Sequence, residues 1–124
     1  MKSFVANGDV WRVVRVPVGD PRLVDRTGSP RLATTDPRGH VICISEAVRP
    51  PLLDRVVLHE VAHAVTMSWG LLPTMRSEAM RGDLTGLEEW AAQLVENHSI
   101  EALEAARTVL GRPVCVRGLC HGVV

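Results

Sequence analysis

The chain has 124 residues, and 46% of them are hydrophobic. This length favours one domain, and this hydrophobic content excludes intrinsic disorder because it is sufficient for a core. The 14 Lys and Arg residues balance the 14 Asp and Glu residues, so no overall positive field attracts nucleic acid. No segment is apolar enough to predict a secretory signal or a membrane span. We therefore expect a soluble protein with no direct nucleic-acid or membrane partner.

The three cysteines are odd in number and too few for a disulfide framework. Their small number predicts a reducing, cytoplasmic location. Cys115, Cys120 and His121 lie close together in the sequence and could supply ligands to a second metal ion. Their unequal spacing is a weak metal-binding pattern, so the sequence leaves this second site open.

The first part of the chain predicts strands separated by turns. Residues 10–18 are rich in β-branched side chains and predict a strand, of which Pro17 marks an edge or an end. Residues 19–39 are dense in Pro, Gly, Asp and Arg, which predicts turns around one short strand at 31–35. The segment Val41–Ser45, with the sequence VICIS, is compact, apolar and β-branched, and predicts a further strand.

The second part of the chain predicts helices. From Leu52 onwards apolar residues recur at three- and four-residue spacing, and Gly70 is a natural end for this helix. Residues 71–83 contain Pro, Gly and several charges, which predicts a loop with at most one helical turn. Residues 85–98 predict a second helix, and residues 99–110 predict a third that is either separate from it or continuous with it.

Strands therefore precede helices along the chain, which predicts an α+β fold for a single domain of residues 1–124. Residues 1–50 are its strand-rich part and residues 51–111 its helical part. Residues 112–124 form a tail that is either a short strand or frayed.

The predicted helix that begins near Leu52 contains the motif HEVAH, in which His59 and His63 are four residues apart. Residues four apart share one helical face, so both imidazoles can reach one zinc ion at about 2.0–2.1 Å. Glu60 is displaced by about 100° around the helix, from where its carboxylate reaches a water on the metal without being a ligand. Because zinc lowers the pKa of such a water to about 7, Glu60 is the expected catalytic base of a zinc metallopeptidase.

A catalytic zinc ion usually has a third protein ligand. The metzincin pattern is excluded, because Thr66 and Trp69 stand where it requires Gly and His. The remaining zincin route uses a carboxylate from a following helix, and the candidates are Glu88 and Glu89. We prefer Glu88 because it falls on the apolar face, where a carboxylate is costly unless it meets a cation, and we keep Glu89 as the alternative. The residues that define this face are Leu84, Leu87, Ala91, Leu94 and Val95.

The segments LHEVAHAV and EEWAAQLV, on successive predicted helices after a strand, resemble the ImmA/IrrE-like family of bacterial and phage zinc metallopeptidases. The resemblance covers residues 34–98. It implies a zincin-like fold of the minimal gluzincin type, with a small mixed or antiparallel sheet before the HExxH helix and a helical C-terminal segment. It also implies one Zn²⁺ ion held by His59, His63 and Glu88, with Glu60 as the base. Its protein substrate would be a transcription regulator.

A peptidase must hold its substrate extended, because a helical backbone hides the scissile carbonyl in hydrogen bonds. Adding the substrate as an extra strand to an exposed sheet edge achieves this. The strand Val41–Ser45 directly precedes the metal-binding helix, so we predict that it is this edge strand. The predicted substrate-binding residues are Val41, Ile42, Cys43 and Ile44.

Two other functions compete with the enzyme. A metal-stabilised partner-binding module with little or no turnover needs no general base, so the presence of Glu60 favours the enzyme over it. A purely structural domain is disfavoured by the intact HEVAH motif. The sequence leaves open whether His40 is a turn residue or helps to stabilise an oxyanion.

Overall fold

A computed structural model of the chain describes residues 2–25 and 27–121. Its main sheet contains four strands, β1 (Lys2–Ala6), β2 (Asp9–Val16), β3 (Ala33–Asp36) and β4 (Val41–Ser45). Three helices follow, α1 (Leu52–Ser68), α2 (Leu72–Arg81) and α3 (Leu84–Leu110), and then a hairpin of β5 (Val114–Val116) and β6 (Leu119–His121). The described residues therefore form a mixed α+β fold, which confirms the predicted fold class at this level.

The sheet begins with a hairpin whose first strand, β1, was not predicted. It pairs antiparallel with β2 through a turn at Asn7 and Gly8, whose φ angles are 46° and 82°. Asn-Gly is the pair that best tolerates positive φ at both central positions of a tight hairpin turn. The sequence therefore contained an indication of this hairpin. The strand predicted for residues 10–18 is confirmed as β2, which ends directly before Pro17.

The strand β4 lies inside the sheet, whose order is β1-β2-β4-β3. On one side Ser45 N donates to Leu32 O at 2.9 Å, at the start of the antiparallel pairing with β3. On the other side Glu46 N donates to Val16 O at 2.8 Å, at the end of the parallel pairing with β2. The prediction that Val41–Ser45 is an edge strand is therefore wrong, because both sides of its backbone are already paired.

The burial of β4 gives the physical reason for this correction. Ile42, Cys43 and Ile44 are all buried, so both faces of the strand are covered. A continuous apolar run is typical of a strand buried on both faces, whereas a solvated face produces alternation. A proline at Cys43 or Ile44 would consequently break the sheet itself rather than only weaken a substrate contact.

The helix α1 begins at Leu52, as predicted, and packs one face against the sheet. Val57, Val61, Ala64 and Val65 are buried in the main core with residues of β1, β2 and β4. Two hydrogen bonds fix the C-terminal end of α1 to the hairpin of β1 and β2. Trp11 Nε1 donates to Ser68 Oγ at 2.8 Å, and Asn7 Nδ2 donates to Ser68 O at 2.9 Å.

The loop predicted for residues 71–83 is wrong, because ten of these residues form α2. Pro73 lies in the first turn of this helix, where its missing N–H interrupts no intrahelical hydrogen bond. Gly82 ends the helix in the left-handed conformation with φ of 68°. The Pro and Gly that were interpreted as loop signals are thus the start and the end of a short helix.

The two helices predicted after residue 84 are one continuous helix, α3, of 27 residues. Its N-terminal half does not pack in the way its apolar pattern predicted, since Leu84 is 80% exposed and Val95 is 62% exposed. Only Ala105, Ala106 and Val109 of α3 are buried, all near its C-terminal end. In the described part of the chain, no helix is both long and apolar enough to cross a membrane.

The hairpin of β5 and β6 joins two cysteines that were expected to be reduced. Cys115 and Cys120 are opposite each other in the antiparallel register and form a disulfide bond. Their sulfurs are bonded to each other, and His121 Nε2 lies 2.8 Å from Glu104 Oε1, so these groups do not form the second metal site.

A partly buried ion pair fastens the start of α1 to this hairpin. Asp54 is 2% exposed, and its Oδ2 accepts hydrogen bonds from Arg112 Nη1 at 2.7 Å and from Cys115 N at 2.9 Å. The hydrogen bond from Arg112 is the main cause that holds the pKa of Asp54 below its ordinary value of 3.8, against the opposing effect of burial. The charged form of Asp54 is thus favoured by folding.

We expect Asp54→Ala to lower the free energy of unfolding at pH 7 by about 2 kcal/mol, below the 3–5 kcal/mol typical of fully buried pairs, because Arg112 can rehydrate. The folded-state pKa of Asp54 is depressed, so its contribution is present above pH 3.8 and is lost as the pH falls through the folded-state value. Urea unfolding should therefore show a difference between parent and variant that is larger at pH 7 than at pH 3. Asp20→Ala, in the pair with the exposed Arg22, is the control and should change stability less than Asp54→Ala does. A difference that does not depend on pH would contradict the ion-pair explanation.

Candidate metal centre

His59 and His63 present their Nε2 atoms to the same point beside α1. The two Nε2 atoms are 3.2 Å apart, and the imidazole rings meet edge to face with centroids 4.8 Å apart. Two nitrogen ligands at 2.0–2.1 Å from a tetrahedral zinc ion would be separated by about 3.3 Å. The two imidazoles therefore already have the spacing of a zinc-binding pair, and both lie on the exposed side of the helix.

Glu60 lies next to this pair but points towards the sheet. Its side chain is buried, and its Oε2 accepts a hydrogen bond of 2.5 Å from Thr35 Oγ1 on β3. The carboxylate of the predicted base is thus held by a residue that is distant in sequence. No motif in the sequence identified Thr35, which lay only within a predicted short strand, because its role depends on the tertiary packing of β3 against α1.

A cleft of about 1540 Å³ runs along these residues. Its walls include His59, Glu60 and His63 of α1, all four residues of β3, and part of α2. β3 is the last strand of the sheet, so one side of its backbone pairs with no other strand among the described residues and borders the cleft. Since Leu32 is hydrogen-bonded to β4, alternation along an antiparallel pair directs the backbone groups of Ala33 and Thr35 to this open side.

The two glutamates predicted as third ligands do not join the histidines. Glu88 and Glu89 are exposed on the N-terminal half of α3, and neither lines the cleft. Within residues 2–25 and 27–121, no group of three or more His, Cys, Asp or Glu residues is arranged to hold a metal ion. The preference for Glu88 over Glu89 also loses support, because Leu84, Ala91 and Val95 of the face that was expected to point inward are exposed. The third ligand remains a prediction.

The remaining candidate residues lie away from the cleft. His40 has a positive φ of 51° in the turn before β4 and stacks on Trp11 with ring centroids 4.8 Å apart, which fits a turn residue. The predicted substrate-binding residues of β4 do not line the cleft. Cys43 is packed against Val16 and Leu23, and burial raises the pKa of its thiol.

Comparison of the chain with protein-family models, with curated proteins and with solved structures finds no significant match. The resemblance of HEVAH and EEWAA to a peptidase family therefore remains a sequence-based prediction. A function can consequently be inferred only from the geometry of His59, Glu60 and His63 and from the cleft that surrounds them.

Proposed function

We propose that the chain is a zinc-dependent metallopeptidase with a zincin-like fold, similar to the ImmA/IrrE-like minimal gluzincins. The observation that carries this proposal is the 3.2 Å separation of the His59 and His63 Nε2 atoms, beside the buried carboxylate of Glu60 in the same cleft. His59 and His63 would hold one zinc ion, with a carboxylate such as Glu88 or Glu89 as the third ligand. When bound there, zinc supplies polarisation of the scissile carbonyl and of a water molecule.

The residues of the chain provide the proton transfers and the positioning. Glu60 accepts a proton from the attacking water and returns it to the leaving nitrogen, which completes hydrolysis of the peptide bond. Thr35 fixes the orientation of this carboxylate through its hydroxyl group. Glu60 and Thr35 both line the cleft bounded by α1. The attacking water and the substrate can therefore meet beside the Glu60 carboxylate.

The substrate lies along β3 in this proposal rather than along β4. The open backbone groups of Ala33 and Thr35 can pair with an extended peptide, which then becomes a fifth strand of the sheet. A peptide bound in this position passes next to Glu60, since Thr35 belongs both to the sheet edge and to the hydrogen bond with the base. The sequence resemblance adds a transcription regulator as a candidate protein substrate.

A metal-stabilised partner-binding module is the second candidate function. It would hold the metal through the same two histidines and depends only on the 3.2 Å spacing of their Nε2 atoms. Glu60 argues against it, because a binding module has no use for a general base beside a metal.

The proposal is tested by measuring zinc content and hydrolysis on the same purified protein. One zinc ion per chain by mass spectrometry, with cleavage of an unfolded protein that a chelator stops and added zinc restores, would support the peptidase. Stoichiometric zinc without cleavage of a broad peptide library would favour the partner-binding module. Absence of bound zinc after loading and dialysis would contradict both functions.

Thr35→Val is expected to reduce kcat by about tenfold, which corresponds to the loss of one hydrogen bond to a charged group. The variant removes the hydroxyl that orients Glu60 but keeps a β-branched residue at the sheet edge. Zinc content and KM should change little, because neither the histidines nor the backbone of β3 is altered. Thr35→Ser restores the hydroxyl and should restore kcat; a defect in both variants would indicate a structural role for Thr35 instead.

A further inference from the structure

The cleft carries an excess of positive charge although the chain as a whole has none. Five arginines line it, against three carboxylates, whereas the formal net charge of the chain is zero. The positive charge is therefore concentrated at the candidate site. The arginines are Arg22, Arg31, Arg38, Arg55 and Arg76, and the carboxylates are Asp25, Asp36 and Glu60.

Three of these arginines have no carboxylate partner in the part of the chain that the structure describes. Arg22 is paired with Asp20 at 2.9 Å and Arg31 with Asp25 at 2.7 Å. The other three side chains, which form no such pair among the described residues, lie on three different walls of the cleft. Arg38 is in the turn after β3, Arg55 is on α1 and Arg76 is on α2. All three are exposed, so their guanidinium groups are accessible from the cleft.

Arg55 has a defined position relative to the candidate zinc ligands. It precedes His59 by four residues and His63 by eight, so the three side chains form one row along α1. One helical turn advances by about 5.4 Å, and an extended peptide advances by about 3.3 Å per residue. The midpoint between His59 and His63 is six residues beyond Arg55, about 9 Å along the helix, so a substrate lying parallel to α1 would bring a side chain about three residues from the scissile bond to Arg55.

The cleft fits a peptide better than a small molecule or a nucleic acid. Its volume of about 1540 Å³ exceeds the roughly 300–1,000 Å³ typical of small-molecule pockets. The described residues that line it include no Phe, Tyr or Trp, whereas single-stranded nucleic acids are usually held by stacking on aromatic rings. Asp36 and Glu60 would also repel a continuous phosphate backbone, but a peptide can avoid them by carrying charge at selected positions only.

We propose that this cleft selects acidic peptide segments, with Arg55 as the main specificity-determining residue for a Glu or Asp near the scissile bond. Arg38 and Arg76 add to the attraction from the other two walls. Guanidinium groups bind carboxylates through two parallel hydrogen bonds, so a side-chain carboxylate is the substrate group that Arg55 recognises best. This inference rests on the metallopeptidase function proposed above, because it takes the position of the scissile bond from His59 and His63.

The test compares matched peptides on the full-length, zinc-loaded chain. Ten-residue peptides of Ala, Ser and Leu carry a single Glu or a single Gln at each position in turn, and kcat/KM is measured for every cleaved bond. We expect the best Glu peptide to exceed its Gln counterpart by about tenfold, the effect of one charge-assisted interaction. Arg55→Gln should reduce this ratio to less than about threefold. Arg12→Gln, which removes an exposed arginine outside the cleft, should leave the ratio unchanged.

A binding measurement separates this inference from the proposed activity. Fluorescence anisotropy of the same labelled peptides is recorded with Glu60→Gln, alone and combined with Arg55→Gln. Preferential binding of the Glu peptide that depends on Arg55 would support the inference even if the parent chain hydrolysed nothing. Equal hydrolysis of Glu and Gln peptides by the parent chain would overturn it and leave the metallopeptidase standing. Tighter binding of a ten-nucleotide single strand than of the acidic peptide, at equal salt, would also overturn it.

Discussion

Glu60→Gln is expected to keep stoichiometric zinc while hydrolysis falls by at least about a hundredfold, because general-base catalysis is typically worth 10²–10⁴. The amide is nearly isosteric with the carboxylate and can still accept the hydrogen bond from Thr35, so the surroundings of the site should be preserved. An amide carries no charge and cannot take a proton from the attacking water, so the substitution removes the base while it keeps the shape of the side chain. The comparison requires kcat/KM on one peptide and zinc content on the same protein sample.

Glu96→Gln provides the matched control for this variant. Glu96 is exposed on α3 and does not line the cleft, so the same chemical change there should alter neither zinc content nor kcat/KM. Undiminished hydrolysis by Glu60→Gln would mean that another group takes the proton. A large loss of zinc in that variant would mean that Glu60 binds the metal and is not the base.

His59→Ala and His63→Ala are each expected to abolish tight zinc binding and the stabilisation that zinc provides. A ligand that binds only the folded state adds about 2.7 kcal/mol to the free energy of unfolding at a hundredfold excess over its Kd. The parent chain should therefore show a clear rise in Tm on addition of zinc, and neither variant should show it. Both imidazoles are exposed and belong to no buried core, so folding without zinc should be little affected.

The control for these variants is His121→Ala, which removes a histidine that contacts Glu104 away from the cleft. It should bind zinc like the parent chain. The same titration includes Glu88→Ala and Glu89→Ala, for which the sequence predicts a much larger loss of affinity at Glu88. A larger effect at Glu89 would make Glu89 the third ligand instead of Glu88. If both histidine variants bound zinc with the affinity of the parent, the metal site would lie elsewhere.

Together the two sets of variants separate the candidate functions. A metallopeptidase should lose zinc in both histidine variants. In Glu60→Gln it should keep zinc but lose turnover. If the parent chain itself binds zinc through His59 and His63 but hydrolyses no peptide, the partner-binding module becomes the better explanation. In that case Glu60 would serve to join α1 to β3 through Thr35.

The features that the sequence determined by itself depend on residues close together along the chain. The spacing of His59 and His63 is a property of one helix, so the shared face of the imidazoles and the place of Glu60 beside them follow from helical geometry alone. The strand Val41–Ser45 and the start of α1 at Leu52 were likewise predicted correctly, because a β-branched run and a 3.6-residue period are local signals. The mixed α+β class follows from the order of these elements.

Local signals failed where the same residue type serves two purposes. Pro73 was interpreted as a loop signal, yet in the first turn of α2 it fits the start of the helix. The apolar pattern that includes Leu84 and Val95 predicted an inward face, but periodicity shows only that a helix has an apolar side. It does not show whether any other part of the chain covers that side, and here both residues are exposed.

Only the tertiary structure decided the relations between distant residues. The position of β4 between β2 and β3, and the hydrogen bond from Thr35 to Glu60, join segments that are far apart in the sequence. The same holds for the pairing of Asp54 with Arg112, which are 58 residues apart. Strand order and such contacts are set by how the apolar faces of whole elements pack together, and no short sequence pattern encodes that packing. The chain's sequence therefore predicted which two histidines and which glutamate form the candidate site, whereas the open edge of β3 and the arginine-lined cleft became visible only in the folded molecule.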